Sequence, residues 1–167
     1  LDNSEEITDD RRELQDFQIE VASLQRAVKG AVRSLGELDN RMAHLRAALP
    51  VTLTSTEAER TAINQLESQL ADLRVVLRGD RTVSSRNEPS PMSISSRVSA
   101  IYGTTVFSQS SVGGNFKDSY TIAAAEFAQA LADLQEAAQA ITALEATLEA
   151  QGAPWTPGRI PSWSSDQ

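Results

Sequence analysis

The 167-residue chain contains no cysteine, a single histidine and only 5% aromatic residues. The missing cysteines exclude disulfides, thiolate nucleophiles and cysteine-held zinc or iron–sulfur centres, and they are silent about compartment. One histidine, His44, leaves general-base or metal chemistry without the convergent partners it needs, and the residue reads as a flank position on a helix. Few aromatics within a 40% hydrophobic composition imply an aliphatic, alanine-rich core of packed helices rather than a sandwich. No apolar run is long enough to span a bilayer, and no basic-then-apolar signal segment opens the chain. The chain starts at Leu1, without a methionine, and is expected to be processed or cut from something longer. Positive charge is also scarce. Against 23 acidic residues stand 15 basic ones, a net charge of −8, which repels phosphate backbones and anionic bilayers; nucleic acid is not an expected partner.

What is present is helical periodicity. Leu14, Phe17, Val21, Leu24, Val28, Ala31, Leu35, Leu38, Met42, Leu45 and Leu49 alternate spacings of three and four without a miss, the seam of helices packed side by side. The spacing predicts one helix over about 8–49, stopped by Pro50 and on the order of 60 Å long. Two overlapping capping boxes, Thr54 with Glu57 and Thr56 with Glu59, announce a second helix over about 56–78. Its seam is Ile63, Leu66, Leu70, Leu73 and Leu77, with Gly79 as the C-terminal cap. The short link makes these two helices antiparallel neighbours. The first outreaches the second by roughly 30 Å, an excess that the last helix or another chain must cover.

Periodicity vanishes from Asp80 to Pro91, then a short helix is expected over about 93–102 with Ile94, Val98 and Ile101 on one side. A second loop, Gly103 to Asn115, carries the Gly113-Gly114 pair, a natural hinge or entry turn. The last helix is expected over about 116–150, with Tyr120, Ala124, Phe127, Leu131, Leu134, Ala138, Ile141 and Leu148 inward and Gly152 ending it. Between Asp118 and Gly158 there is no base at all. That acidic strip (Glu126, Asp133, Glu136, Glu145, Glu149) calls for a positive neighbour, and the Arg26–Arg46 stretch of the first helix is the expected one. Residues 1–152 thus form the bundle, and 153–167 a tail fixed as extended by Pro154, Pro157 and Pro161. Trp155 and Trp163 are expected to clamp that tail onto the bundle or a neighbouring domain.

No catalytic residue, cofactor-binding residue or metal ligand is assigned, and no nucleophile, base and orienting group can be assembled. Arg78-Gly79-Asp80 reads as a helix cap, Gly113-Gly114 with Lys117 lacks phosphate-loop spacing, and the paired carboxylates Glu5-Glu6 and Asp9-Asp10 read as a solvated face. The candidate surface is one for interaction. Arg86, Asn87 and Glu88, preceding Pro89, can make several directed hydrogen bonds, and Arg81 stands nearby. With Trp155, Arg159 and Trp163 of the tail they form the candidate set. If loop and tail converge, an Arg guanidinium can stack on an indole.

The strings Gly-Asp-Arg-Thr-Val-Ser-Ser-Arg-Asn-Glu-Pro-Ser-Pro (79–91), Ile-Ser-Ser-Arg-Val (94–98), Ala-Ala-Glu-Phe (124–127) and Gly-Ala-Pro-Trp-Thr-Pro-Gly-Arg-Ile-Pro-Ser-Trp (152–163) carry a resemblance. The chain resembles the C-terminal helical region of large bacterial proteins whose N-terminal part is a sortilin-type, glycosyl-hydrolase-like β-propeller with neuraminidase-type (BNR, Asp-box) repeats. The propeller is missing, with no Ser-x-Asp-x-Gly-x-x-Trp repeat, so no catalytic residue transfers. The resemblance implies a periplasmic, outer-membrane-associated or extracellular setting and a propeller domain, in the same parent protein or another, as partner.

The reading is therefore an all-α elongated bundle of three long helices plus one short helix, with a Pro/Trp-rich extended tail, acting as a non-catalytic structural and interaction module. A free-standing coiled-coil adaptor that homo-oligomerises through its first helix is the alternative. An accessory domain of a glycoside hydrolase ranks third.

Overall fold

The computed structural model describes residues 3–80, 91–106 and 113–165, and the side chains from residue 10 onward. All regular structure among these residues is helical. α1 (Asn3–Ala48) has 46 residues and runs into a single 3-10 turn, Leu49–Val51, where Pro50 sits at the turn's start. α2 (Glu57–Arg78), α3 (Ile94–Val106) and α4 (Gly114–Ala150) follow.

The seam of α1 holds: nine of its eleven positions are buried, and Leu14 and Leu24 are half-buried. Gly30 and Gly36 have open space around them, so each costs roughly 1 kcal/mol of helix propensity without serving a close approach. All five seam residues of α2 are buried. At its start one capping box forms. Thr56 Oγ1 accepts from the Ala58 amide at 3.2 Å, and the Glu59 carboxylate accepts from the Thr56 amide at 2.7 Å. The other box does not form: α2 starts at Glu57 with Thr56 rather than Thr54 at its cap, and Thr54 Oγ1 donates to the carbonyl of Gln151 at 2.9 Å. α2 ends as expected at Gly79, whose φ of +89° and bond to the Val75 carbonyl make a left-handed cap.

α3 runs four residues beyond its expected end at 102, so Gly103 to Val106 are helix rather than loop. Thr104 and Thr105 donate their hydroxyls to the carbonyls of Ala100 and Ile101, which satisfies them inside the last turn. Ser93 Oγ caps the start by accepting from the Ser96 amide at 3.2 Å. α4 begins at Gly114, two residues earlier than expected. Its buried face is Ala123, Phe127, Ala130, Leu134, Ala137, Ile141, Leu144 and Leu148, a heptad spacing one position removed from Ala124, Leu131 and Ala138, which are only half-buried. Small and large residues alternate along this seam from Ala123 to Ile141, which lets a neighbouring helix come close at the alanines. α4 closes in a Schellman motif: the amides of Gly152 (φ +83°) and Ala153 donate to the carbonyls of Glu149 and Leu148. Ala153 and Leu148 are both buried, the apolar contact this motif favours.

Two compact units share these helices: residues 1–33 with 74–132, and 34–73 with 133–167. In the first, α1 meets α3 and α4. Phe17 and Tyr120 pack edge to face with ring centroids 5.6 Å apart. Gln18 Nε2 donates to the Thr105 carbonyl at 2.9 Å, supplying a donor to a helix end that has no intrahelical one, and Lys117 pairs with Glu13. The N-terminal excess of the α1 seam is thus covered within the chain, with Val21 1% and Val28 2% exposed. In the second unit, α1, α2 and α4 are joined at the α1–α2 link, where Gln151 Nε2 also donates to Glu59 at 2.8 Å.

Candidate interaction surface

Arg81, Arg86, Asn87 and Glu88 lie outside the described residues. Trp155, Arg159 and Trp163 lie within the second unit, on the segment that follows α4.

That segment carries no helix after Gly152. It turns at Pro157-Gly158, where Gly158 has φ +87° and the Arg159 amide donates to the Thr156 carbonyl at 3.1 Å. The expected indole clamp is not what holds it. Trp163 is 84% exposed and Trp155 42% exposed. Arg159 holds it instead: its guanidinium donates through Nε and Nη2 to both carboxylate oxygens of Glu149, at 2.6 and 2.7 Å. Two parallel charge-assisted bonds fix direction as well as distance. This fork holds the Glu149 carboxyl below its ordinary range, the Arg159 bond outweighing the opposing effect of burial. Nε also lies 4.0 Å from Glu145.

Glu145 is the one strongly buried acid of α4, 2% exposed. Arg41 of α1 answers it with Nε and Nη2 at 2.8 and 2.7 Å and reaches Thr142 Oγ1 with Nη2 at 2.9 Å. On the other side of α1, Arg46 pairs with Glu67 of α2 and donates to Asn64. Arg41 and Arg159 therefore anchor α4 from two directions, and the tail leaves Trp155, Ile160 (90% exposed) and Trp163 turned outward. Sequence reasoning named Arg159 but gave the anchoring to the tryptophans. The signal was that Arg159 is the first base after Lys117, beside an acidic helix end.

The first unit has a shallow groove of about 550 Å³ between α1 and α4, lined by Arg12, Asp16, Glu20, Lys117, Tyr120 and Thr121 among others. Burial, with the charge of Glu20 adding to it, pushes the Tyr120 phenol up. No cluster of three or more metal-ligating side chains occurs among the described residues. His44 is half-buried on α1. No described helix is long and apolar enough to cross a membrane.

No family model, curated protein or solved structure matches the chain.

Proposed function

We propose that the chain is a non-catalytic structural and interaction module that braces or extends a β-propeller domain of a larger exported protein, the role its sequence resemblance implies. One observation carries the reading. The segment 153–165 is tied to α4 by the Arg159–Glu149 fork while its large apolar side chains face outward. A side chain displayed on a segment already held in place loses little conformational freedom when a partner covers it, so its burial is available for affinity.

The alternative, a coiled-coil adaptor that assembles through the α1 seam, is less favoured because that seam is already covered within one chain. Calorimetric titration of the chain with the separately produced propeller domain of its parent protein tests the proposal. Trp155→Ala and Trp163→Ala are expected to weaken binding at least tenfold while leaving the melting temperature unchanged. Absence of binding by the wild-type chain rejects the propeller role, and wild-type affinity in both variants rejects the tail as its surface.

A further inference from the structure

Charge is divided unevenly between the two units. The first holds twelve acidic and eleven basic residues; the second holds eleven acidic and four basic, a net −7 of the chain's −8. All four arginines of the second unit are engaged with its own carboxylates: Arg41 with Glu145, Arg46 with Glu67, Arg60 with Glu57 and Arg159 with Glu149. Glu37, Asp72 and Glu136 of that unit are exposed and form no ion pair among the described residues.

The first unit shows the converse. Residues 21–36 of α1 contain no acid, and Arg26, Lys29 and Arg33 project from them. All three are exposed and form no ion pair among the described residues. Arg26 and Arg33 stand seven residues apart on the side of α1 opposite its seam, in the same row as Ile19, which is 61% exposed. Lys29 lies between them. The bases expected to answer the acidic strip of α4 therefore split. Arg41 reaches α4 and Arg46 reaches α2, while the other three find no carboxylate among the described residues.

We infer that the chain self-associates by charge complementarity, the Arg26–Lys29–Arg33 face of one copy docking on the acidic second unit of another. Each copy carries both halves, so a reciprocal arrangement closes a two-fold dimer in which the same contact is made twice. Opposite charges brought face to face with partial loss of water attract over a few ångströms, whereas the net −8 repulsion is spread over the whole molecule and screened beyond roughly 10 Å of salt solution. Ile19 adds an apolar contact beside the arginines. The occupant is a second copy because the needed acidic surface, with no unengaged arginine to oppose it, is present on every copy. This surface is distinct from the tail proposed for the propeller.

Sedimentation equilibrium of the full chain tests the inference. At about 50 mM salt a species of twice the 18.0 kDa chain mass is expected, with its dissociation constant raised at least tenfold at about 500 mM. Arg26→Glu with Lys29→Glu and Arg33→Glu makes one variant; Glu37→Arg with Asp72→Arg and Glu136→Arg makes the other. Each alone is expected to be monomeric with unchanged helicity by circular dichroism, and an equimolar mixture to dimerise again, because one contact of the mixed dimer then keeps the wild-type signs and the other has them exchanged, so that both are complementary. A wild-type chain that stays monomeric at low salt overturns the proposal. So does a dimer indifferent to both reversals, or two monomeric variants whose mixture does not associate.

Discussion

The guanidinium of Arg41 and the carboxylate of Glu145 meet through two bonds of 2.8 and 2.7 Å across 104 residues of chain. Glu145 is almost wholly buried and Arg41 is about one-third exposed on its side chain. Removing the arginine leaves a buried carboxylate whose nearest remaining cation, Arg159, stands 4.0 Å away. Arg41→Ala is expected to cost about 2–4 kcal/mol in urea denaturation, while the double variant Arg41→Leu with Glu145→Leu costs much less, since it removes the desolvated charge together with its partner. Equal losses in the two would show that the pair contributes packing alone.

The register of α4 is open to a direct comparison. Ala130 is 3% exposed on the seam, and its neighbour Leu131 is half-buried beside it. Enlarging the alanine forces side chains into a closed interface, so Ala130→Leu is expected to destabilise by about 1–3 kcal/mol. Leu131→Ala removes a larger group from a position partly in water and is expected to cost less than Ala130→Leu. Thermal melts of the two variants decide it: the reverse order would return the seam to Leu131.

Glu59 supplies a pH dependence. Its carboxylate accepts from the Thr56 hydroxyl, from the Gln151 side-chain amide and from the Thr56 amide, and these bonds pull its pKa from the ordinary 4.5 to about 2. A carboxyl whose pKa falls on folding contributes stability above its unfolded value, and that contribution is lost as the pH drops through the folded value. The melting temperature of the wild type is therefore expected to exceed that of Glu59→Gln by a constant amount above about pH 4.5, with the gap closing toward pH 2. A gap independent of pH would mean that the carboxylate charge plays no part in the cap.

Much of this architecture is legible in the sequence, and the exceptions have identifiable causes. The seams of α1 and α2 declare themselves because large aliphatic residues occupy them almost without interruption. In α4 the buried row passes through Ala123, Ala130 and Ala137, and weight given to side-chain size rather than spacing favours Leu131 over the alanine beside it. The end of α3 is obscured by Gly103, Thr104 and Thr105, which resemble a turn, although both hydroxyls return to the helix's own carbonyls. For the tail, the sequence singled out Trp155, Arg159 and Trp163 without showing which of them ties the segment to α4. Tryptophan next to proline suggested burial, whereas both indoles are exposed and the Arg159–Glu149 fork ties the segment to α4.

The covering of the N-terminal half of α1 by α3 and α4 bears on how the chain folds. α2 can pair with α1 as soon as the hairpin is complete, but Phe17 must wait for Tyr120, and Glu13 for Lys117, partners more than a hundred residues downstream. Contacts of such long sequence separation slow a helical protein relative to one built from local hairpins. During synthesis at roughly 5–20 residues per second, the apolar row Phe17, Val21 and Val28 stays open to water for several seconds until α4 has emerged. That interval, rather than the finished fold, is when the chain is most exposed to aggregation and to capture by a chaperone.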